Sequence, residues 1–334
     1  MERSLENNEE PFAIGAVHHD FEFSGKAGEF FRIWIVNLLL TIVTLGIYSA
    51  WAKVRTKRYF YGSTRVAGSA FSYLASPITI LKGRLIALAF MVAFSLSAQS
   101  SPILFLILML ALLVATPWVI ARSLAFNARM SAWRNVRFRF DGGYGDILIN
   151  FLLLPIVVAV TLGLTFPWMV KKQKECLVRH YSFGGKKFEP SFTTGDFYKV
   201  YLLAFCILCL TGLLALVPIV GFVLAPFGYL VALSFVTARQ TNLVYGKSRL
   251  DDYSFVSRIE VVQLAVLYLT NFLAIVFTLG LATPWAMIRT ARYRLSCITL
   301  VADESLDSFT DKAQEEQSAL GEELGEVFDI AVGI

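Results

Sequence analysis

Three asparagines lie inside long apolar stretches of this chain, where their side chains could coordinate a polar solute. They are Asn37, Asn150 and Asn271. At membrane depth, a polar side chain must bond to a neighbouring helix, to an ion or to a solute. Asn37 and Asn271 are 234 residues apart, which is twice a spacing of 117 found elsewhere in the chain. We therefore predict an intramembrane polar site at these residues, with interhelical hydrogen bonds of ~0.6–2 kcal/mol each as the alternative explanation.

A second set of candidate residues pairs a tryptophan with a cation four positions later. The pairs are Trp51 with Arg55, Trp118 with Arg122, Trp168 with Lys172 and Trp285 with Arg289. Residues four apart share one face of a helix. Tryptophan at the membrane boundary and Lys or Arg just beyond it are typical of a helix leaving the headgroup layer. We predict interfacial contacts with lipid headgroups, and a general aromatic belt with a topology signal is the alternative.

Enzyme chemistry has little support in the sequence. The apolar stretches contain no Asp, Glu or His between their ends. Cys206 and Cys209 have a C-x-x-C spacing but lie inside an apolar stretch, where small packing residues are the simpler interpretation. No metal-ligand cluster, nucleotide loop or nucleophile motif occurs in its required context. We expect no enzyme activity and no cofactor, although an enzyme acting on lipid stays open.

The spacing of 117 residues is carried by a tripeptide. Thr-Leu-Gly occurs at Thr44–Gly46, Thr161–Gly163 and Thr278–Gly280, and a tryptophan follows each copy in the same register. Such a period without gaps indicates that one unit was copied. We predict a polar head at 1–20, repeat 1 at 21–137, repeat 2 at 138–254, a partial repeat 3 at 255–302 and an acidic tail at 303–334.

Composition places these repeats in a membrane, since 56% of residues are hydrophobic and the mean hydropathy is +0.62. About seven stretches approach the ~20 apolar residues that cross a hydrocarbon core. They are 30–51, 83–100 and 102–121 in repeat 1, 147–169, 198–217 and 219–237 in repeat 2, and 261–285 in repeat 3. The predicted fold class is an all-α integral membrane protein with internal repeats, plus short β-strands and hairpins between the segments on the cytoplasmic face.

The basic segments between the stretches create a conflict over topology. The positive-inside rule favours the cytoplasm for all of them. A single crossing by 30–51 or 147–169 would put neighbouring basic segments on opposite faces. Either these stretches do not cross fully, or the repeats are inverted as in many transporters. Similar basic character and strands that need partners favour one shared cytoplasmic face.

Charge is partitioned strongly along the chain. Residues 30–302 hold 27 Lys and Arg against 8 Asp and Glu, whereas 303–334 hold 1 against 10. The lipid bilayer and its anionic headgroups are therefore the expected partners, and no nucleic-acid motif accompanies the charge. The acidic tail ends in an apolar run. We predict either a solubilising tail or an intramolecular docking in which Val327, Phe328 and Ile330 fill an apolar groove.

Two runs of sequence resemble a known family. They are FFRIWIVNLLLTIVTLGIYSAWAKVRTKRYFYGSTRVAGSAFSY at Phe30–Tyr73 and GEELGEVFDIAVGI at Gly321–Ile334. The chain resembles the YjgN-like family of bacterial multi-pass inner-membrane proteins, which is classed as a domain of unknown function. The resemblance implies a location in the inner membrane and a shared fold. It brings no catalytic or binding residues.

Two functions agree with these observations. The first is a channel or transporter for a small solute, which repetition around a membrane-embedded unit favours by analogy with known transporters. The alternative is a non-catalytic membrane scaffold, or a protein that interacts with anionic lipid through its basic interfacial helices. The sequence favours the first by a small margin.

Overall fold

The computed structural model describes residues 17–302 and Leu306, and the predicted tail contacts of Val327, Phe328 and Ile330 lie outside them. Short strands alternate with pairs of helices along the whole chain. The strands are β1 Val17–Asp20, β2 Glu22–Phe23, β3 Thr64–Val66, β4 Ser69–Tyr73, β5 Ser131–Trp133, β6 Val136–Phe140, β7 Tyr181–Phe183, β8 Lys186–Pro190, β9 Ser248–Leu250, β10 Tyr253–Ser257 and β11 Ile298–Ala302.

These strands form one antiparallel sheet that is nearly closed into a barrel. Sequential neighbours pair from β2 to β11, and β1 pairs with β11. Since β1 and β2 are separated only by Phe21, the segment 17–23 joins both edges of the sheet. The backbone N–H of Phe21 donates to the carbonyl of Ile298 at 3.2 Å. Closure leaves few strand edges exposed for pairing with another chain.

The barrel interior is apolar and rich in aromatic rings, whereas charged side chains such as Arg65 and Arg139 are exposed. Trp133, Phe183 and Leu300 pack inside it, and Leu306 packs there as well. In β3 and β6, alternation of apolar residues with polar or charged ones produces this arrangement, because successive side chains point to opposite faces of a sheet.

Tight turns connect the strands at one rim of the barrel. At Ala67–Gly68, Arg134–Asn135 and Gly184–Gly185, both turn residues have positive φ. Two such residues give the hairpin turn whose twist matches that of antiparallel strands. In an antiparallel meander the tight turns occupy one rim, so every helical connection leaves from the other rim.

Five helical hairpins leave that second rim. Hairpin A1 is α1 Ala27–Val43 with α2 Ser49–Ser63, and hairpin B1 is α3 Pro77–Ser100 with α4 Pro102–Arg129. Hairpin A2 pairs one bent helix, formed by α5 Tyr144–Ile147, a π-helix at Leu148–Leu153 and α6 Leu154–Val160, with α7 Phe166–His180. Hairpin B2 is α8 Thr194–Leu214 with α9 Pro218–Gly246, and hairpin A3 is α10 Val261–Phe277 with α11 Thr283–Ser296.

The helices of these hairpins form a closed ring. Each helix packs against the next along the chain, and α11 packs against α1. The guanidinium of Arg292 donates to the carbonyl of Gly25 at 3.0 Å, which ties the end of the ring to its beginning. The ring therefore stands on the barrel rim from which its helices arise.

The predicted all-α class with about seven spans was wrong. The chain contains an 11-stranded sheet. In the described residues, three helices are long and apolar enough to cross a membrane, namely Pro77–Gln99, Pro102–Arg129 and Thr194–Leu214. The stretches 30–51, 147–169 and 261–285 are not continuous helices, because each is broken by its Thr-Leu-Gly turn into two shorter ones.

The Thr-Leu-Gly turn reverses the chain in the same way three times. Leu45, Leu162 and Leu279 have φ near +50°, and the glycine after each has φ near +90°. Glycine is required there because a side chain strains that conformation. In each copy the glycine N–H donates to the carbonyl five residues earlier at 2.8 Å. This is the Schellman pattern, which satisfies carbonyls at the end of a helix.

The threonine of the turn completes its hydrogen bonding. The Thr44 hydroxyl donates to the carbonyl of Leu40 at 2.6 Å and accepts from the N–H of Tyr48 at 2.9 Å. Thr278 makes the equivalent bonds to Ala274 and Ala282. Backbone groups in hydrocarbon must be satisfied within the protein. The turn therefore suits a hairpin tip that is surrounded by lipid.

Candidate functional site

Two of the four aromatic–cation pairs predicted to contact headgroups are in contact in the structure. The Arg289 guanidinium lies 5.2 Å from the centroid of the Trp285 ring, and that of Arg122 lies 5.8 Å from Trp118. Trp51 stacks on Tyr48, with ring centroids 6.1 Å apart. Cation–π geometry of this kind holds a cation over the ring within about 6 Å.

The structure adds a fifth pair that the sequence analysis missed. The Arg239 guanidinium lies 5.9 Å from the centroid of the Phe235 ring. These residues follow Trp118 and Arg122 by 117 positions. The spacing of 117 residues is the signal for this pair, in which phenylalanine takes the place of tryptophan. With this pair, the returning helix of every hairpin carries one aromatic residue and one cation four positions apart.

Asn271 lies in hairpin A3 and is hydrogen-bonded within it. Its side chain is 6% exposed, and its Nδ2 donates to the hydroxyl of Thr290 at 3.0 Å. Its Oδ1 accepts from Arg289 Nη1 at 3.3 Å, and the same nitrogen also donates to the hydroxyl of Thr270. The amide thus links α10 to α11 and fixes the cation of the interfacial pair.

Asn37 occupies the equivalent position in hairpin A1 but has no such bonds. It is 5% exposed, and neither its Oδ1 nor its Nδ2 has a hydrogen-bond partner. The position equivalent to Thr270 is Val36, which has no hydroxyl to hold Arg55. Neither Asn37 nor Asn271 lines either of the two cavities described below.

Asn150 lies in the π-helix of hairpin A2, and a proline explains why that helix is widened. The Leu154 N–H donates to the carbonyl of Ile149, five residues earlier, which leaves the Asn150 carbonyl without its usual donor. The next residue, Pro155, has no N–H to offer. Gln173 on α7 supplies the missing donor, because its Nε2 donates to the Asn150 carbonyl at 3.0 Å.

A cavity of about 230 Å³ lies between the two arms of hairpin A2. It brings together three predicted site residues, Asn150, Trp168 and Lys172. The whole lining is Asp146, Ile149, Asn150, Leu154, Trp168, Lys172, Glu175, Cys176, Arg179 and His180. We call it the A2 cavity. Widened helices of this type are often found at functional sites.

Charges around the A2 cavity are unequal. Glu175 accepts an ion pair from Lys171 at 2.6 Å, from Arg179 at 3.1 Å and from Lys172 at 3.4 Å. Burial raises the pKa of Glu175, but hydrogen bonds and charge from Lys171 and Lys172 outweigh it and hold the pKa below its usual value. The carboxylate stays ionised at neutral pH and compensates one of three cations.

The Cys176, His180 and Asp146 side chains lie close together without forming an activated nucleophile. Nδ1 of His180 is 2.8 Å from the carbonyl of Cys176, so this nitrogen carries a proton and donates it there. It cannot also accept the thiol proton. Burial, with the charge of Asp146, raises the pKa of Cys176 to about 11. The thiol is therefore protonated at neutral pH.

A second cavity, of about 80 Å³, lies inside the barrel. Phe71, Trp133, Phe188 and Phe255 line it, and Leu306 lies at its wall. Within residues 17–302, no group of three His, Cys, Asp or Glu could hold a metal ion.

Comparison with known proteins gives this fold a family. Residues 18–227 and 214–327 match, in two overlapping segments, the family described as "Bacterial protein of unknown function (DUF898)". The chain belongs to this family. The resemblance seen at Phe30–Tyr73 is thereby confirmed.

Curated relatives of this DUF898 chain are each called "Inner membrane protein YjgN". Those of Escherichia coli O157:H7 and of strain K12 are 34% identical over 149 residues, which is 44% of this chain and 37% of each relative. That of Salmonella typhimurium is 32% identical over 149 residues, 43% of this chain and 37% of the relative. The predicted location in the bacterial inner membrane is confirmed. No solved structure matches the chain.

Proposed function

We propose that this DUF898 protein is a multi-pass inner-membrane protein that binds phospholipid, with its barrel on the cytoplasmic side. The observation that supports this most directly is the exposure of the long helices. In the most apolar 18-residue stretch of α3 none of the residues is buried, and in those of α4 and α8 only 6% and 11% are.

Such exposure bears on what fills the ring of helices. A helix that is apolar on all sides needs apolar surroundings on all sides. Water inside the ring would leave the inner faces of α3 and α4 in contact with an aqueous lumen. Acyl chains on both the outer and the inner side of the hairpins satisfy these helices. The ring therefore encloses lipid.

The aromatic–cation pairs give a common level from which depth can be measured. Trp51, Trp168 and Trp285 each follow the turn leucine by six residues, which corresponds to about 9 Å of helix. Trp118 follows Ser101 of the B1 turn by seventeen residues, or about 26 Å. The hydrocarbon core is about 30 Å thick. The A hairpins thus enter one leaflet and the B hairpins cross the membrane.

Returning hairpins also remove the topology conflict. Each hairpin enters and leaves on the same side, so all tight turns and basic segments share one face. The positive-inside rule assigns that face to the cytoplasm.

A channel or transporter for a small solute stays a prediction. It requires a polar path past Asn37 and Asn271. The hydrogen bonds of Asn271 within hairpin A3, and the apolar filling of the barrel, favour lipid binding instead. The predicted absence of enzyme activity likewise stays a prediction.

Lipid retention tests the proposed function. The full chain is extracted in mild detergent, and retained phospholipid is counted by native mass spectrometry. Replacing Arg122 and Arg239 together by Gln should remove anionic lipid, since each cation near the surface contributes ~1 kcal/mol to such binding. The matched control replaces Arg65 and Arg139, two exposed cations on the barrel strands. Equal retention by both variants and the unmodified chain would rule out lipid binding at the interfacial pairs.

Depth is tested by spin labels on Leu45→Cys, Leu162→Cys and Leu279→Cys, each made in a chain without its native cysteines. All three labels should report the hydrocarbon of the cytoplasmic leaflet. A label near the opposite headgroups would contradict the shallow A hairpins.

A further inference from the structure

Several residues that line the A2 cavity differ from those of the equivalent hairpins, and Cys176 is the one whose size bears most on the open space. At the position of Cys176, hairpin A1 has Tyr59 and hairpin A3 has Tyr293, again at spacings of 117. The Tyr59 hydroxyl accepts from the N–H of Lys26 at 2.8 Å and donates to its carbonyl at 3.0 Å. In the outer hairpins a phenol ring therefore occupies the space that is open in A2.

Tyr293 repeats these contacts at the start of α10. Its hydroxyl accepts from the N–H of Glu260 at 3.2 Å and donates to the carbonyl of the same residue at 3.2 Å. In hairpin A2 the equivalent residue is Gly143, whose N–H donates to Asp146 instead at 3.3 Å. The start of α5 is thus satisfied without a tyrosine, and the cavity beside it is left free.

The chemistry of the cavity wall selects an anion. Lys172 and Arg179 lie on one face of α7, and together with Lys171 they share the single carboxylate of Glu175. The other carboxylate, Asp146, accepts from the N–H of Gly143 and lies 3.5 Å from Nε2 of His180. The three cations therefore outnumber the two carboxylates by one. A phosphate would compensate the positive charge that remains, because Lys and Arg are its usual ligands.

The position of the cavity selects the source of that anion. Trp168 and Lys172 form the aromatic–cation pair of hairpin A2, so this end of the cavity lies at the headgroup level. His180 is eight residues further along α7, about 12 Å toward the barrel rim. Ile149 and Leu154 give the wall an apolar part beside the cations. A lipid headgroup with its acyl chains fits this combination of cationic and apolar surfaces.

We propose that the A2 cavity binds the phosphate of an anionic glycerophospholipid, held between Lys172 and Arg179 with the glycerol against Trp168. The assignment rests on the proposed function and gives it a specific site. A volume of about 230 Å³ holds roughly eight waters, which is ample for a glycerophosphate group.

The decisive variant is Cys176→Tyr, which gives hairpin A2 the residue of its two neighbours. The ring should fill the cavity as Tyr59 and Tyr293 do, and the fold should be kept. Cys209→Tyr is the matched control, since it makes the same exchange at an exposed site on α8. Lys172→Gln with Arg179→Gln removes the cations while leaving the space open.

Binding of short-chain phosphatidylglycerol to delipidated full-length protein is measured in detergent by native mass spectrometry. The unmodified chain and Cys209→Tyr should bind alike. Cys176→Tyr and the double variant should each lose one bound lipid and bind at least tenfold more weakly. Unchanged binding by both would overturn the proposal. If Cys176→Tyr does not fold, the double variant decides alone.

Two further arms identify the ligand and separate the two proposals. Inorganic phosphate and glycerol 3-phosphate should compete only weakly, and displacement of the lipid by either at equal concentration would assign the cavity to a soluble phosphate. Loss of lipid on replacing Arg122 and Arg239, with none on changing Cys176, would reject this site and keep the proposed function. No loss in any variant would reject both.

Discussion

Hairpins A1 and A3 carry the same asparagine at equivalent positions, yet only A3 bonds it. Asn271 joins α10 to α11 through Thr290 and Arg289, whereas the amide of Asn37 is buried without a partner. The bonding residues Arg289 and Thr290 have the same equivalents in A1, Arg55 and Thr56, but Thr270 in A3 corresponds to Val36 in A1. A copied residue therefore keeps its place in the fold, while its hydrogen bonds depend on the residues around it.

Asn271→Leu should have the largest effect on stability. This change removes the bonds to Thr290 and to Arg289, and a lost buried hydrogen bond with an unpaired partner costs about 1–3 kcal/mol. The free energy of unfolding, measured in mixed micelles, should fall by that amount. An unchanged value would mean that these bonds do not hold α10 against α11.

Asn37→Leu should change the free energy of unfolding in the opposite direction. No hydrogen bond is lost, and an unsatisfied buried amide is removed, so stability should stay constant or rise by about 1–2 kcal/mol. The same unfolding measurement compares it directly with Asn271→Leu. A clear loss of stability would show that Asn37 has a partner, such as a bound water or ligand.

Exchanging the residues at positions 270 and 36 should make the hydrogen bonding and stability of each hairpin more like those of the other. Thr270→Val leaves Arg289 with the Asn271 carbonyl alone and should cost about 1 kcal/mol. Val36→Thr offers Arg55 a hydroxyl and should give a gain of similar or smaller size. If both changes are neutral, the hydroxyl does not explain the difference between A1 and A3.

The smallest effect is expected where the two hairpins agree. Thr44→Val and Thr278→Val each remove the acceptor for one N–H in the tip turn, so both should lower stability equally, by about 0.6 kcal/mol. Unfolding of each single variant tests this. Unequal losses would indicate that the two tips have different surroundings.

Sequence alone could predict much of the pattern but not the path of the chain. The period of 117 residues marked the equivalent turns, and four of the five aromatic–cation pairs followed from spacing. Hydropathy could not separate a crossing from a hairpin, because Thr-Leu-Gly continues an apolar run. The glycine after Leu45 was a helix-stop signal, but reversal depends on two successive residues with positive φ.

The site was predictable only in part for a similar reason. Lys172, Trp168 and Asn150 were identified, whereas the cavity that joins them depends on Cys176 being smaller than tyrosine. Alignment of the three copies at the fixed spacing shows that exchange. The effect of this exchange is the volume left open between packed helices, and residue spacing gives no information on that volume.

Because all five hairpins return to one rim of the barrel, almost no polar chain has to pass through the bilayer during insertion. In the proposed arrangement only the tips of B1 and B2 reach the far side, and their turns are Ser101 and the apolar segment 215–217. Every strand, every tight turn and nearly every charge can stay on the side of the membrane where the chain is synthesised.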